Sequence, residues 1–279
     1  MFSHLFLPTD LSPASVEFLG NLELFRKLGG EEITLYHVYE VGHPMPATPR
    51  RDDYFGPKLR AAALELESQG WKVNTIMEEG RTASMIVKGA QKVGADLIVI
   101  SNRGRGAVEE VLVGSVAMEV LEHSPLPIFL YAVGSEVVPG KEQVLIHATD
   151  FSVAAQGAFQ WAVASAREGG QRLLLVHMTP GAGEREDHHL SEKEATRVLN
   201  ELREAAVQAG VNRVESQIIK GQPKKEMKSL LKTNPDAVVA MGNHGRGWLG
   251  DWMLGGIARR VARTGTHHVF FSSSRAEES

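Results

Sequence analysis

A glycine-spaced loop occurs twice in this chain of 279 residues, and the repeat constrains the fold more than any other feature. The first copy is Ser101–Ser115 and the second is Gly242–Gly256. Each copy follows a short apolar run that is typical of a buried strand, and each precedes a stretch with a helical pattern. Backbone N–H groups of such a loop, at the start of a helix, can bind phosphate. The repeat therefore predicts a duplicated phosphate-binding fold.

The duplication extends over the whole chain with a nearly constant offset. Asp10 and Asp150 lie 140 residues apart, and the paired loop glycines lie 141 apart. This period is far longer than the ~20–50 residues of a solenoid repeat and is close to the common domain size of ~100–150 residues. We therefore predict two domains of one kind, 1–133 and 142–273, joined by a linker at 134–141.

Composition excludes several classes of protein. The formal net charge of −4 gives no overall basic field for nucleic acid, and no apolar run approaches the ~18–20 residues of a membrane-spanning helix. The first residues lack the pattern of a secretion signal. The absence of cysteine excludes disulfides, thiolate metal sites and a cysteine nucleophile. We expect a cytoplasmic protein that binds neither nucleic acid nor membrane.

Both halves show short apolar strands alternating with amphipathic helices. The predicted strands are His4–Pro8, Ile33–Tyr39, Lys72–Glu78, Ala95–Ile100 and Pro127–Ala132, then Gln143–Ala148, Arg172–Met178, Arg213–Ile219, Ala237–Met241 and His268–Phe271. The predicted helices are Pro13–Leu28, Asp53–Gln69, Thr82–Val93 and Ser115–His123, then Val153–Glu168, His189–Ala209, Pro223–Thr233 and Gly256–Thr264. This alternation implies a parallel sheet covered by helices on both faces.

The spacing of polar and glycine residues describes a nucleotide site at the carboxyl edge of such a sheet. Asp10 follows the first strand and the loop follows the fourth, so a crevice opens between them if these strands are neighbours. The base and sugar would then lie near Asp10 and Val38. The phosphates would lie near Gly104, Gly114 and Ser115.

Simpler interpretations of these residues stay open. Asp10 and Asp150, each two residues before a serine, can equally be helix-capping turns, and isolated glycines are weak evidence of a site. His37 and His177 lie inside apolar strands, which favours packing over catalysis. Neighbouring side chains of a strand point to opposite faces, so His267 and His268 are not expected to share a metal.

Motifs of several enzyme classes are absent from the sequence. It contains no Walker loop, no dinucleotide fingerprint in a first βαβ turn, no G-x-S-x-G elbow and no H-E-x-x-H pair. No acid–base pair recurs in the two halves. We therefore predict no catalytic residue and no metal site.

The repeated motifs resemble the universal stress protein family in its tandem two-domain form. The match rests on LPTDLS repeated as HATDFS, on LYHV repeated as LVHM, and on a loop of the form G-x2-G-x9-G-[ST]. The resemblance implies two Rossmann-like (HUP-type) domains, each with a five-stranded parallel sheet of order 3-2-1-4-5. It also implies that the last strands, Pro127–Ala132 and His268–Phe271, pair the two halves as a pseudo-dimer.

The resemblance further implies an adenine-nucleotide ligand, ATP, ADP or AMP, with or without Mg²⁺. In the first half the implied site residues are Pro8, Asp10, Val38, Ser101, Arg103, Gly104, Gly114, Ser115 and Val116. In the second half they are Asp150, Met178, Gly242, His244, Gly245, Gly255 and Gly256. Both copies depart from the pattern, because Ser101 replaces the first glycine and Gly256 replaces the serine or threonine. We expect the first half, which keeps Gly114-Ser115, to be the better site.

Three functions compete. The first is a nucleotide-binding stress-response or signalling protein with little or no turnover, forming a homodimer and acting on an unknown protein partner. The second is a nucleotide-independent scaffold with degenerate loops. The third, and least favoured, is an enzyme such as an ATPase, with at most weak hydrolysis of ATP.

Overall fold

The computed structural model describes residues 1–12, 15, 18–39, 51–104, 113–135, 137, 143–179, 190–243 and 254–273, with the backbone alone at 51 and 52. The chain divides into two compact units, Met1–Val133 and Gly134–Ser279. The predicted domain boundaries and the pairing of the halves as a pseudo-dimer stay predictions.

Each unit contains a parallel sheet of five described strands. The strands of the first unit are β1 (His4–Pro8), β2 (Glu32–Tyr39), β3 (Lys72–Glu79), β4 (Leu97–Ser101) and β5 (Ile128–Tyr131). Those of the second unit are β6 (Val144–Ala148), β7 (Arg172–Thr179), β8 (Val214–Lys220), β9 (Val238–Gly242) and β10 (Val269–Ser272). The spatial order is β3-β2-β1-β4-β5 in the first unit and β8-β7-β6-β9-β10 in the second. The predicted α/β fold, with a parallel sheet in each half, is confirmed.

Helices connect successive strands in both units. In the first unit they are α1 (Glu23–Lys27), α2 (Arg51–Ser68), α3 (Thr82–Lys92) and α4 (Ser115–His123). In the second unit they are α5 (Val153–Gly169), α6 (Glu192–Gln208), α7 (Pro223–Thr233) and α8 (Gly256–Thr264). The bounds of α4, α7 and α8 are those predicted from the sequence.

The prediction of one continuous helix over Pro13–Leu28 is wrong. The described part of that segment forms a short 3-10 helix at Phe18–Asn21 and then α1, with Leu22 between them at φ −94° and ψ 5°. Gly20 and Asn21 disfavour an α-helix at this point, because both have low helix propensity. The corresponding alanine-rich segment of the second unit forms the unbroken helix α5.

Helix α6 begins later than the predicted His189, which lies outside the described residues. It starts after Ser191, whose hydroxyl accepts a hydrogen bond from Glu194 N while the Glu194 carboxylate accepts one from Ser191 N. This capping box satisfies two backbone donors and fixes the helix start.

The order of the strands places the candidate site. Strand β1 pairs with both β2 and β4, and all five residues of β4 are buried. The carboxyl ends of β1 and β4 are therefore neighbours at one edge of the first sheet. In the described part of the chain, no helix combines the length and the apolar character needed to cross a membrane.

Candidate functional site

The turn after the first strand of each unit has the same hydrogen bonds. Ser12 N donates to Asp10 Oδ1 at 2.9 Å, and Ser152 N donates to Asp150 Oδ1 at 3.1 Å. The residue between them, Leu11 or Phe151, has φ near +60°, at 58° and 62°. Positive φ is uncommon for such side chains and fixes the turn in a sharp conformation. One oxygen of each aspartate therefore serves the turn, as the capping interpretation proposed.

His37 on β2 and His177 on β7 each form a hydrogen bond to the backbone of the turn in their own unit. His37 Nδ1 lies 2.8 Å from Thr9 O, and His177 Nδ1 lies 2.8 Å from Thr149 O. A carbonyl can only accept, so Nδ1 carries the proton and donates. Both side chains are buried, and their rings pack on aromatic rings at centroid distances of 4.5 Å (Phe55) and 4.4 Å (Phe151). Both histidines are packed side chains, as expected.

Asparagines that the sequence reasoning missed close both glycine loops. Gly114 N donates to Asn102 O at 2.8 Å, and Gly255 N donates to Asn243 O at 2.8 Å. The Asn102 side chain also accepts from Val133 N at 3.0 Å. These asparagines are buried and stand at the same place in both motifs. Their repetition, 141 residues apart, was the signal that could have identified them.

Ser101, which replaces the first glycine of the motif, turns its side chain onto the loop itself. Its hydroxyl donates to Arg103 O at 2.8 Å. The hydroxyl therefore holds the backbone of the loop immediately before Gly104. The departure from glycine adds a contact within the loop at this position.

Gly104 lies directly against the carboxylate of Asp10. A Cβ atom at position 104 would lie 2.6 Å from Asp10 Oδ2, a distance that real Cβ atoms do not adopt. A Cβ at Gly114 would lie 3.7 Å from Asn102 O, which is an ordinary contact. A side chain at 104 would therefore have to move the Asp10 carboxylate from its place beside the loop, whereas a methyl group at 114 would meet no protein atom closer than 3.7 Å.

A pocket of about 310 Å³ opens at this edge of the first unit. All nine site residues predicted for the first half line it: Pro8, Asp10, Val38, Ser101, Arg103, Gly104, Gly114, Ser115 and Val116. The structure thus brings together residues that lie up to 108 positions apart in the chain. The volume of the pocket falls at the lower end of the ~300–1,000 Å³ typical of small-molecule sites.

Helices contribute further lining residues that the sequence did not indicate. Phe55 of α2 and both Thr82 and Ile86 of α3 line the pocket, together with Ile100 of β4. The apolar side chains form a surface for a flat ring, while the loop supplies polar groups. Arg103 adds a cation, and its Nε atom is buried without a hydrogen-bond partner among the described residues.

In the second unit, Asp150 follows β6, Met178 and Gly242 lie at the carboxyl ends of β7 and β9, and Gly255 and Gly256 stand at the start of α8. The other two predicted residues, His244 and Gly245, lie outside the described residues.

Gly242 is packed against the start of α5. A Cβ at position 242 would lie 2.9 Å from Ala154 Cβ and 3.0 Å from Ala155 N. The first glycine of the second motif is therefore needed for helix packing. In the first unit, where Ser101 stands at this position, the helix following β1 is interrupted.

A lysine lies beside the last glycine of the second motif. A Cβ at Gly256 would lie 3.0 Å from Lys224 Cε and 3.2 Å from Lys224 Nζ. At the corresponding positions the first unit has Ser115 and Ala83. The second unit therefore replaces a hydroxyl with a nearby ammonium group.

The adjacent histidines of the second unit bind backbone groups. His267 Nε2 lies 3.0 Å from Asn234 O, and His268 Nε2 lies 2.8 Å from Val137 O, so each ring nitrogen donates to a carbonyl. Burial lowers the pKa of His268 to about 4, against a smaller opposing effect of its hydrogen bond. Among the described residues, no group of three or more metal-ligating side chains comes together.

Comparison with known proteins identifies the family. The model of the universal stress protein family matches residues 1–131 and 143–271. The chain therefore belongs to the universal stress protein family, with two tandem domains of that kind. The two matched segments contain both glycine motifs and both aspartate turns.

Individual relatives agree with this assignment. A universal stress protein of Methanocaldococcus jannaschii is 27% identical over 158 residues, covering 47% of this chain and 94% of the relative. One from Mycolicibacterium smegmatis is 24% identical over 208 residues, covering 73% of this chain and 69% of the relative. The crystal structure of a universal stress protein from Archaeoglobus fulgidus superposes with a TM-score of 0.74 at 26% identity, covering 97% of this chain and 96% of that one.

Proposed function

We propose that this protein binds an adenine nucleotide, ATP, ADP or AMP, in the pocket of its first unit and acts in stress response or signalling with little or no turnover. The observation that carries the proposal is the convergence of all nine predicted residues on one pocket of about 310 Å³. The proposal includes a cytoplasmic location and association of two copies of the chain.

The lining residues supply complementary chemistry for each part of such a ligand. Apolar side chains such as Ile86 and Ile100 would contact the base, and the backbone of Val38 would meet its polar edge. Asp10 Oδ2 lies next to the loop, where it would accept hydrogen bonds from ribose hydroxyls. A carboxylate is a strong acceptor for such donors.

The phosphates would lie at the start of α4. The backbone N–H and the hydroxyl of Ser115 stand at its first turn, where the helix dipole favours negative charge, and Gly114 lines the pocket beside them. Arg103 would add a charge-assisted hydrogen bond through its buried Nε atom. Mg²⁺, where present, would enter with the phosphates.

The described pocket offers little support for rapid hydrolysis. Asp10 is the one carboxylate among the described lining residues, and its Oδ1 already accepts from Ser12 N. His37 Nδ1 donates to Thr9 O, which fixes its ring. Bound nucleotide would therefore act as a regulatory ligand, released largely unchanged.

The second unit would be the weaker site. Gly256 keeps a backbone donor but lacks the hydroxyl of Ser115. Loss of one neutral hydrogen bond costs roughly 0.5–1.5 kcal/mol, or about tenfold in affinity at most. The close packing of α5 on Gly242 also limits the approach of a ligand to the first motif position.

Paired aspartate variants test this assignment by isothermal titration calorimetry with ATP, ADP and AMP. Asp10→Ala should weaken the tighter binding event at least tenfold, because it removes the acceptor beside the loop. Asp150→Ala, the matched change in the second unit, should leave that event unchanged. Absence of binding at about 1 mM nucleotide, or equal losses from both variants, would contradict the proposal.

A glycine pair tests the same pocket without removing the carboxylate. Gly104→Ala should weaken binding because its methyl group would displace Asp10 Oδ2, 2.6 Å away. Gly20→Ala, which lies outside the pocket and whose added Cβ would meet no atom within 4 Å, should bind nucleotide within about threefold of the wild type. Equal behaviour of the two variants would show that the loop does not approach the ligand as proposed.

A nucleotide-independent scaffold is the second candidate. The tight packing of α5 on Gly242 favours it for the second unit, because the glycine there already has a structural use. Under this alternative neither unit would bind nucleotide, and both aspartate turns would serve the fold alone.

A further inference from the structure

Positive charge is concentrated on two helices of the second unit. Helices α7 and α8 carry seven lysines and arginines and one acidic residue, Glu226. The basic residues are Lys224, Lys225, Lys228, Lys232, Arg259, Arg260 and Arg263. The whole chain has 30 basic and 34 acidic residues, so the remainder has 23 and 33. The two helices therefore carry a formal net charge of +6, whereas the formal charges of the other residues sum to −10.

The seven residues lie on two helices that are in contact, and we call the solvent-exposed side of this helix pair the basic face. Helices α7 and α8 pack against each other, and Lys224 at the start of α7 reaches Gly256 at the start of α8. Lys224, Lys228 and Lys232 repeat every four residues and are exposed, so they form a stripe along α7. The apolar side chains of both helices are buried on the opposite side: Met227, Leu230, Leu231, Ala258, Val261 and Ala262.

The fold does not require this charge. The corresponding helices of the first unit, α3 and α4, carry two lysines and two glutamates. Two of those four are in ion pairs, Lys92 with Glu78 at 3.0 Å and Glu119 with Arg81 at 2.7 Å. The same architecture thus folds with a helix pair whose lysines and glutamates balance in charge.

The basic face has few counter-charges of its own. Leaving aside Arg259, none of its basic side chains is in an ion pair with a described residue. Like charges four residues apart destabilise a helix, so the lysine stripe disfavours α7 when nothing binds it. An external polyanion would remove that repulsion.

We propose that the basic face binds the phosphate backbone of duplex nucleic acid without reading its sequence. A duplex carries one negative charge per ~1.7 Å, and the stripe from Lys224 to Lys232 extends about 12 Å along α7. Lysine and arginine are the usual ligands of backbone phosphates. Neither helix contains an aromatic residue on which the bases of a single strand could stack.

The charge of the rest of the chain favours a duplex over an anionic membrane. A flat membrane faces a broad area of the protein, including its acidic remainder, whereas a rod contacts a narrow strip. The large hydrophobic residues that are exposed in the described chain are Met1, Leu64, Val153 and Val207, none of them on α7 or α8. The face therefore has no apolar anchor for a bilayer. This inference is independent of the nucleotide pocket.

Two charge-matched variants test the inference by fluorescence anisotropy with a labelled mixed-sequence duplex of about 20 base pairs. The first, Lys228→Gln with Lys232→Gln and Arg260→Gln, removes three charges from the basic face and leaves Lys224 beside the second loop. The second, Lys72→Gln with Lys88→Gln and Lys193→Gln, removes three charges elsewhere. Circular dichroism melting confirms that both variants fold.

We expect wild-type affinity to fall steeply between about 50 and 200 mM salt, with a log–log slope of about −5. The basic-face variant should bind at least tenfold more weakly at about 50 mM salt, with a slope shallower by about 2–3. The control variant should keep the wild-type slope. The charge-conserving variant Lys228→Arg with Lys232→Arg should bind like the wild type.

Three results would overturn the inference. One is no salt-dependent binding of wild-type protein to the duplex at about 50 mM salt. Another is an equal loss of duplex affinity in the control variant, which would indicate that binding depends on net charge alone. The third is binding to vesicles of phosphatidylserine and phosphatidylcholine without binding to duplex, which would assign the face to lipid.

Discussion

At position 147 the second unit has a histidine where the first unit has Leu7. His147 is fully buried on β6, where Nδ1 lies 3.2 Å from Ala240 O. Nε2 is buried without a hydrogen-bond partner among the described residues. Burial lowers the pKa of His147 to about 4, although the bond to Ala240 and the charge of Asp150 act in the opposite direction. The folded protein therefore keeps this histidine neutral.

This buried histidine predicts a pH dependence of stability. An unfolded histidine titrates near 6.5, so the unfolded chain binds more protons between about pH 6.5 and 4, and stability falls as the pH is lowered through that range. Protonation of His147 in the unfolded chain lowers the free energy of unfolding by at most about 3 kcal/mol over this range, and the contribution of His268 has the same sign. His147→Leu should remove the contribution of His147 to this pH dependence and leave the contribution of His268. The substitution should cost little stability at pH 7.

Urea-unfolding midpoints at about pH 7 and about pH 5 measure this effect. The difference between the two midpoints should shrink in His147→Leu relative to the wild type. An unchanged difference would show that folding does not lower the pKa of His147.

Residue identities in the site were predictable to different degrees. Asp10, Gly104 and Gly114 could be predicted because the motif repeats at a fixed spacing, and such repetition is visible in sequence. Phe55 could not, because a helix reaches the pocket only through tertiary packing. Gly242 shows a further limit: a glycine of the motif serves close helix packing, which spacing alone does not reveal.

At the scale of elements, the capping box of α6 predicts a stability loss. Ser191→Ala removes the hydroxyl that accepts from Glu194 N at 3.3 Å, and should cost about 1 kcal/mol. Ser191→Thr keeps an acceptor and should lose less than half as much. Urea denaturation followed by circular dichroism measures both changes. A loss from Ser191→Thr as large as that from Ser191→Ala would show that the hydroxyl is not the stabilising group.

Elements with strong end signals were the best predicted. Pro223 at the first turn of α7 and Gly255 at the N-cap of α8 mark helix starts by their backbone preferences. The first helix of the chain was mispredicted because its apolar spacing continues through Gly20 and Asn21, where helix propensity is low. Periodicity indicates which face is buried and does not by itself guarantee continuity.

At the scale of the whole molecule, average charge concealed a local feature. The net charge of −4 predicted no nucleic-acid partner, yet seven basic residues lie on one helix pair. The sequence contains both facts, but α7 and α8 are 23 residues apart and their adjacency follows from the fold. Composition therefore limits the overall field and leaves individual surfaces undetermined.

The two units differ in residue detail on one architecture. The first unit combines a pocket, an interrupted first helix and Ser115. The second has an unbroken α5 packed on Gly242, and Lys224 beside Gly256. We therefore expect the two halves to bind nucleotide unequally.

The nucleotide content of freshly purified protein tests the central claim most directly. Acid release followed by chromatography identifies and counts any bound adenine nucleotide. We expect ATP, ADP or AMP at roughly one per chain in the wild type, and a clear loss in Asp10→Ala but not in Asp150→Ala. An empty protein that also fails to bind added ATP with Mg²⁺ at about 1 mM would contradict the account and favour the scaffold.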